Sequence, residues 1–364
     1  MKHRNSIIVG SGSYLPTHKV TNEDFMGHVF FGPDGMKLPN ENKEIISKFE
    51  HITGIQERRY VTDDLVASDI AFFAAEDALA SSKTDRETLD YIIVAHNFGD
   101  VRKQNPRSEF VPALASKVKH RLGITNPDTV TYDLTFGCAG WLQGVIQADY
   151  YIRSGQADRV MVIGAETLSR ICDPHDRDSM IYADGAGAII LSAIETTERV
   201  GILGHAAQSY TDELAFVLEM GKSNNTGYPD NRLFLKMQGR KLYEKALKIV
   251  PNIVKTCMDK AGVSIDEVDS VLIHQANNKM DEAILRELYG LYGRKQAPAG
   301  VMPMTISWLG NSSVATLPTL YNLLVSGNIA GYTLKTKDTI VFAAVGAGVN
   351  INALVYRVPD GTHP

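Results

Sequence analysis

The sequence has few cysteines, no long apolar run and no excess of positive charge, and each absence narrows the possible functions. Cys138, Cys172 and Cys257 are the only cysteines in 364 residues. They cannot all pair within one chain, and their scatter gives no metal-ligand spacing, so we expect a protein of the reducing cytoplasm. The formal net charge of −5 disfavours broad nucleic-acid binding. No nucleic-acid-binding motif is present.

No segment predicts secretion or membrane insertion. The apolar run at residues 7–9 is interrupted at once by glycine and serine, so it is too short for a signal peptide or a membrane span. With 44% hydrophobic residues, 22% charged residues and a mean hydropathy of −0.12, the composition is typical of a soluble globular protein. A chain of this length can bury a large core and form two domains of ordinary size.

The segment at 129–155 contains the most informative change of pattern. Apolar and polar residues alternate up to Phe136, which predicts a strand that Gly137 ends. From Ala139 onward apolar residues recur every three or four positions, which predicts a helix. Cys138 therefore lies at a helix start, where we expect free backbone amides and the helix dipole to lower its pKa below about 8.5 and make it a nucleophile. A buried core cysteine is the alternative.

Strands that alternate with helices predict an α/β sheet, and the plan occurs twice in the chain. The apolar strand at 268–274 matches the pattern of 90–95, and the strand at 339–345 matches that of 158–165. We therefore predict two similar α/β halves packed together. The predicted halves are residues 1–192 and residues 193–364.

Three further groups lie where they could complete a catalytic site. His274 ends a predicted strand, where α/β sheets commonly place ligands, and it could exchange a proton; a structural histidine is the alternative. Asn311 precedes a predicted helix, so its amide could donate to an oxyanion or simply cap the helix. The glycine turn at 346–348 could form an oxyanion hole together with the amide of Cys138, or be an ordinary turn.

Several segments, in this order and over nearly the whole chain, resemble the thiolase superfamily and, more closely, β-ketoacyl-acyl carrier protein synthase III. The resemblance implies a thiolase-like fold, in which duplicated α/β halves form a layered sandwich of sheets and helices. The segments are SGSYLP at 11–16, TGIQERR at 53–59, GCAGW at 137–141, CDPHDR at 172–177, YADGAGA at 182–188, HQAN at 274–277, GNSS at 310–313 and GAG at 346–348.

The resemblance also implies a covalent mechanism. Cys138 would take an acyl group from a thioester of coenzyme A or of phosphopantetheine on acyl carrier protein. His274 and Asn311 would then promote decarboxylation of a malonyl-type extender, whose carbanion attacks the acyl-cysteine. The tetrahedral oxygen would bind to the backbone amides of Cys138 and Ala347, where the family more usually has glycine at the latter position. No metal or redox cofactor is implied, and the family is homodimeric.

The contacts to substrate and carrier can be assigned in the same way. The candidate substrate-binding residues are Arg177, Asn277, Gly310, Gly346 and Gly348. A basic patch could bind an acidic carrier protein or be only a solvated face; its residues are Arg240, Lys241, Lys245, Lys248 and Lys279. The position of the family's adenine-stacking tryptophan lies near Lys48, and that of a family arginine is occupied by Ile52. The family's usual contacts to coenzyme A are therefore partly missing.

We therefore expect a condensing acyltransferase of the synthase III type, in fatty-acid initiation or in a specialised lipid or polyketide pathway. The extender would be a malonyl- or β-ketoacyl-type thioester. Acyl transfer to oxygen or nitrogen without a carbon–carbon bond is a close variant. A catalytically silent partner subunit is an alternative from another class. The intact set of Cys138, His274 and Asn311 disfavours it, because such partners commonly lack the nucleophile.

Overall fold

The computed structural model describes residues 2–361, in which helices and strands alternate. The helices are α1 (Asn42–Thr53), α2 (Ala67–Ser82), α3 (Leu114–Arg121), α4 (Gly140–Arg153), α5 (Gly239–Ala261), α6 (Asn278–Gly290), α7 (Ile306–Leu309) and α8 (Thr316–Val325). The strands are β1 (His3–Tyr14), β2 (His18–Thr21), β3 (Glu57–Tyr60), β4 (Tyr91–Ala95), β5 (Asp100–Val101), β6 (Ser108–Glu109), β7 (Val130–Leu134), β8 (Arg159–Thr167), β9 (Asp184–Thr196), β10 (Gly201–Ser209), β11 (Leu218–Gly221), β12 (Phe234–Met237), β13 (Ser270–Ile273), β14 (Thr339–Gly346) and β15 (Asn350–Arg357).

Two larger sheets share one strand arrangement. The first has the order β1-β9-β8-β4-β7 and the second the order β10-β15-β14-β13. In both sheets the first three strands are antiparallel neighbours and the fourth is parallel to the third. Strand β7 adds a fifth, parallel strand at the outer edge of the first sheet. The repeated arrangement confirms the predicted α/β fold with a duplicated plan.

Helices separate and cover the two sheets, so the protein has alternating layers. Helices α4 and α8 lie between the sheets and share one apolar core with both. The ring of Phe342 on β14 lies 6.1 Å from that of Trp141 on α4 and 5.9 Å from that of Tyr321 on α8. Helices α2 and α3 cover the first sheet, and α5 and α6 cover the second. Strands buried on both faces explain the nearly continuous apolar runs in the sequence.

The predicted boundary after residue 192 falls inside β9. Residues up to Thr196 still pair with β1, and β10 of the second sheet begins at Gly201. The chain therefore passes from one sheet to the other at residues 197–200. The fully buried part of β9 ends at Leu191, and residues 192–196 are only partly buried or exposed, so the buried run stops before the strand does.

Candidate active site

Cys138 lies in a short 3-10 turn, Gly137–Ala139, between β7 and α4. This is the strand-to-helix position that the sequence predicts. The backbone of Gly137 has φ +61°, and a Cβ atom there would lie 2.4 Å from the backbone nitrogen of Ala347. Only glycine satisfies both conditions, so the chain can turn sharply and bring Cys138 against the second half of the molecule.

The predicted lowering of the Cys138 pKa is wrong. The residue keeps partial solvent exposure, but desolvation by the surrounding protein raises the pKa of the thiol to about 11. A hydrogen bond from the Ser313 hydroxyl, 3.2 Å from Sγ, lowers the pKa, whereas the nearby carboxylate of Glu166 raises it. Desolvation of a thiolate therefore outweighs the helix start that suggested activation.

His274 directly follows β13 and is held at the carboxyl end of the strand. Its backbone nitrogen donates to the carbonyl oxygen of Ala343 on β14 at 2.8 Å, which continues the pairing of the two parallel strands. The residue is buried, and burial lowers the pKa of the imidazole to about 4. The ring is therefore neutral near pH 7 and has one N–H to donate. Within residues 2–361 the ring nitrogen Nδ1 has no hydrogen-bond partner.

Gln275, to which the sequence pattern assigned no role, fixes the turn that carries His274. Its Oε1 accepts hydrogen bonds from the backbone nitrogens of Thr305 and Ile306, at 2.8 and 2.9 Å. The segment that it binds continues through α7 to Asn311. One buried amide therefore ties the His274 turn to the chain that leads to Asn311. The only sequence signal is its place inside the HQAN segment.

Asn311 is fixed by its backbone and by one end of its side chain. The backbone nitrogen donates to Ile181 and the carbonyl oxygen accepts from Ala183, at 3.0 and 2.8 Å. The side-chain Oδ1 accepts from the backbone nitrogen of Ser313 at 2.8 Å. In the described part of the chain Nδ2 makes no hydrogen bond. Asn311 therefore caps the following turn, as one interpretation predicts, and still keeps a free donor, as the other requires.

Cys138, Asn311 and the turn at Ala347 meet at the seam between the two halves. Ser313 connects two of them, because its hydroxyl donates to the Sγ of Cys138 and its backbone nitrogen donates to Asn311. A Cβ atom at Gly346 would lie 2.3 Å from the backbone nitrogen of Cys138. The amides of Cys138 and Ala347 therefore lie side by side, and His274 follows the strand next to the one that leads to Ala347.

The predicted substrate-binding residues occupy different environments. Asn277 caps α6, because its Oδ1 accepts from the backbone nitrogen of Met280 at 3.1 Å. Arg177 lies on the surface, 3.7 Å from the carboxylate of Asp178. Gly310 has φ +69°, and a Cβ atom there would lie 2.7 Å from the Cβ atom of Arg58. Gly346 and Gly348 form the turn after β14, with φ −142° and +90°. Their contacts to substrate stay predictions.

The predicted basic patch is a real surface of α5 that acidic groups partly neutralise. Its α5 residues are Arg240, Lys241, Lys245 and Lys248. Arg240 pairs with Glu244 at 3.0 Å, and Lys245 lies 3.6 Å from the carboxylate of Glu213. Lys241 donates instead to the backbone carbonyl of Glu213. Lys279 is exposed in the first turn of α6, which packs against α5. Carrier binding at this patch stays a prediction.

In the described residues, no group of three or more histidine, cysteine, aspartate and glutamate side chains is placed to hold a metal ion. Over the same range, no helix is both long and apolar enough to span a bilayer.

Comparison with known proteins gives one consistent set of relatives. Models of 3-oxoacyl-(acyl-carrier-protein) synthase III and of its C-terminal domain match residues 132–211 and 258–358. The first match contains Cys138, and the second contains His274 and Asn311. A curated β-ketoacyl-(acyl-carrier-protein) synthase III of Ruegeria sp. strain TM1040 is 32% identical over 361 residues, which cover 97% of this chain and 99% of the relative.

Solved structures agree with this result. The 3-oxoacyl-(acyl-carrier-protein) synthase III of Aquifex aeolicus superposes with a TM-score of 0.78 at 27% identity, over 97% of this chain and 99% of that one. The priming β-ketosynthase of the R1128 polyketide biosynthetic pathway superposes with a TM-score of 0.80 at 22% identity, over 99% and 98% of the two chains. The second likeness concerns the fold alone.

Proposed function

The chain belongs to the 3-oxoacyl-(acyl-carrier-protein) synthase III family of condensing enzymes, and from this premise we propose that Cys138 carries the acyl group while His274 and Asn311 act on the second substrate. The observation that carries the proposal is a pair of donors. The imidazole of His274 and the Nδ2 of Asn311 have no hydrogen-bond partner in the described protein. A buried ring nitrogen of His274 without a partner requires an explanation, and a substrate oxygen would supply a partner both for this ring and for the amide of Asn311.

In the first half-reaction the sulfur of Cys138 attacks the carbonyl carbon of an acyl thioester. A new carbon–sulfur bond forms, the bond to the carrier sulfur breaks, and the thiol proton leaves with the carrier thiol. The hydroxyl of Ser313 stabilises the charge that develops on sulfur. The amides of Cys138 and Ala347 would bind the oxygen of the tetrahedral intermediate.

In the second half-reaction a malonyl-type thioester loses carbon dioxide. The electrons of the broken bond form an enolate, whose oxygen receives hydrogen bonds from the neutral imidazole of His274 and the amide of Asn311. The enolate carbon attacks the acyl-cysteine, and the sulfur of Cys138 leaves and takes up a proton. Burial suits this role, because it keeps the imidazole neutral and free of a competing anion.

We further propose that the acyl and extender units arrive on coenzyme A or on an acyl carrier protein. The basic patch on α5 and Lys279 supports docking of an acidic carrier. The α1 surface offers Lys48 and the exposed Ile52 where the family has aromatic and guanidinium contacts to coenzyme A. Carrier-protein delivery is therefore the preferred alternative for at least one substrate. The three cysteines are free, which supports the proposed cytoplasmic location.

A homodimer paired through β7 is also part of the proposal. Strand β7 is the outer strand of its sheet, and no described strand pairs with its free edge. Val130 at its start is 47% exposed. An open edge with apolar side chains invites pairing with another chain, and a second copy related by two-fold symmetry would continue the sheet.

Mass spectrometry of the intact protein tests the proposal. The purified protein is incubated with panels of acyl-coenzyme A and acyl-carrier-protein thioesters, and the matched Cys138→Ser variant is treated identically. We expect a mass gain of one acyl group in the native protein alone, and the productive panel identifies the donor. Failure of every thioester to label the native protein would remove the central step.

Addition of a malonyl carrier to the labelled protein tests the second half-reaction. We expect release of carbon dioxide, loss of the label and a product longer by two carbons. Loss of the label to an alcohol or an amine, without carbon dioxide, would instead identify simple acyl transfer.

A further inference from the structure

The buried carboxylate of Glu166 lies near Cys138 and has no role in the proposed half-reactions. Glu166 near the end of β8 is 0% exposed. Its Oε2 accepts two hydrogen bonds from Asn97, one from the backbone nitrogen at 2.9 Å and one from Nδ2 at 2.7 Å. Its Oε1 has no partner in residues 2–361. A carboxylate buried with so few partners is costly, so its presence next to the candidate nucleophile requires an explanation.

Asn97 connects this carboxylate to the nucleophile. Its Nδ2 donates to the Oγ of Ser313 at 3.2 Å as well as to Glu166. Both hydrogens of the amide are then in use. Because Ser313 Oγ already accepts a hydrogen bond from Asn97, its own hydrogen remains free to be donated to the Sγ of Cys138 at 3.2 Å. We call these four residues the Glu166 network.

The carboxylate determines which way the amide of Asn97 points. A carboxylate oxygen that receives two N–H groups acts as an acceptor, so the NH₂ of Asn97 must face it. With the amide reversed, Oδ1 would face the carboxylate and would accept the hydrogen of the Ser313 hydroxyl. The sulfur of Cys138 would then receive no hydrogen bond from Ser313. One acceptor thus fixes the direction of two hydrogen bonds.

We propose that Glu166 and Asn97 are positioning residues that hold the hydroxyl of Ser313 as a hydrogen-bond donor to the sulfur of Cys138. The inference rests on the proposed role of Cys138 as nucleophile. Ser313 has a backbone φ of +55°, a conformation that costs energy for a residue other than glycine and persists where surrounding contacts enforce it. The hydrogen bond from its backbone nitrogen to Asn311 is one such contact.

Glu166 acts on the thiol in two opposite ways. Its charge raises the pKa of Cys138, whereas the hydroxyl that it orients lowers this pKa. Burial raises the pKa of Glu166 itself to about 7, with His96 lowering it and Asp184 raising it. A proton on the partnerless Oε1 would leave Oε2 free to accept from Asn97. The orientation of the Asn97 amide is therefore the same whether Glu166 is charged or protonated. The effect of the Glu166 charge on the pKa of Cys138 is lost on protonation.

Two variants of Glu166 separate these effects. Glu166→Gln removes the charge but keeps an oxygen that can accept from Asn97. Glu166→Met removes both the charge and the acceptor. The readout is the rate at which iodoacetamide alkylates Cys138 at pH 8, measured by peptide mass spectrometry. The peptides that contain Cys172 and Cys257 serve as internal controls for folding.

We expect Glu166→Gln to alkylate at the native rate or faster, and Glu166→Met to alkylate about tenfold more slowly, as a rise of one pKa unit produces. Asn97→Ala and Ser313→Ala should slow alkylation similarly. Adding Glu166→Met to Ser313→Ala should cause no further slowing, because only the charge effect, which raises the pKa of Cys138, is left to remove. Equal acceleration in both Glu166 variants would mean that the carboxylate acts through charge alone and would overturn the proposal. So would an unchanged rate in Ser313→Ala.

The two proposals fail separately. Absence of acyl loading in the native protein would refute the proposed function, and the alkylation rates would still test the Glu166 network. If Glu166→Met does not fold, Asn97→Ala removes the same orienting hydrogen bonds. A native alkylation rate in folded Asn97→Ala would then overturn the proposal.

Discussion

The turn after β7 and the turn after β13 both follow strands that pair in parallel with a neighbour, yet burial moves the pKa values of Cys138 and His274 in opposite directions. It raises the pKa of Cys138 to about 11 and lowers that of His274 to about 4. A protein environment penalises the charged form of either group, and the charged form is the thiolate in one case and the imidazolium in the other. Near pH 7 the structure therefore favours a neutral thiol and a neutral imidazole over an ion pair.

The two turns also differ in their partners. Cys138 receives a hydrogen bond from Ser313, which is itself held by Asn97 and Asn311. The ring of His274 has no partner in the described chain. The sulfur of Cys138 already has a donor that can stabilise its developing charge. The ring of His274 is still free to donate to a substrate oxygen. In the proposed function, the first turn would form the covalent bond and the second would bind the oxyanion.

The largest expected effect comes from removal of the first turn's reactive atom. Cys138→Ala should abolish the acyl label and reduce condensation more than about 10⁴-fold, the scale on which loss of a covalent nucleophile acts. Intact-mass analysis and product formation measure the two losses. A label that persists in this variant would place the nucleophile elsewhere.

Removal of the second turn's donor should affect only the second half-reaction. His274→Ala should accept the acyl label at nearly the native rate but release carbon dioxide from a malonyl carrier about 10²–10³-fold more slowly, as expected for loss of one oxyanion donor. Stopped incubations measured by mass and by carbon dioxide release separate the steps. If labelling also collapses, His274 acts as the base for Cys138, and the assignment of separate roles is wrong.

The pH dependence of the labelling and decarboxylation rates should show whether Cys138 and His274 are a neutral pair or an ion pair. Because the pKa of Cys138 is about 11, the labelling rate should rise about tenfold per pH unit between pH 8 and 9.5, without an inflection. His274, with a pKa of about 4, should add no inflection between pH 5.5 and 9 to decarboxylation. Rapid-quench rates with a hydrolytically stable donor provide the measurement. A plateau in labelling above pH 7 would indicate a preformed thiolate.

The smallest expected effect concerns the contact between the turn after β7 and the turn after β14. Gly137→Ala should lower the free energy of unfolding by about 3 kcal/mol, through left-handed strain and the clash with Ala347. Gly155→Ala is the matched control, because Gly155 has φ +79° but no atom within 4 Å of the methyl group that alanine would add. It should lose only about 1 kcal/mol. Equal losses in urea unfolding would mean that the close approach contributes nothing.

The positions of the main groups could be predicted because each one marks a change of pattern. Gly137 ends an alternating strand before a helical period, and His274 ends an apolar run. The duplicated sheets followed from repeated apolar strands. The end of β9 could not be found in this way, because its last residues leave the core and still pair with β1.

The electrostatics of the site could not be predicted from local pattern. Asn97 is 69 positions from Glu166 and 216 positions from Ser313, so no sequence period brings them together. The sign of the pKa shift of Cys138 likewise depends on the atoms that surround it from both halves. A helix start indicates a favourable dipole, but it does not show how much water the fold removes.

The backbone crossing of Gly137 and Gly346 has a consequence for how this enzyme could be adapted. A displacement of the two halves by the width of one methyl group would change the separation of the Cys138 and Ala347 amides, which are the proposed oxyanion hole. The contact between the two backbones therefore fixes the distance between these amides. Tolerance for longer, branched or oxygenated acyl chains would therefore have to come from replacing side chains elsewhere around the site, while this point of contact stays constant.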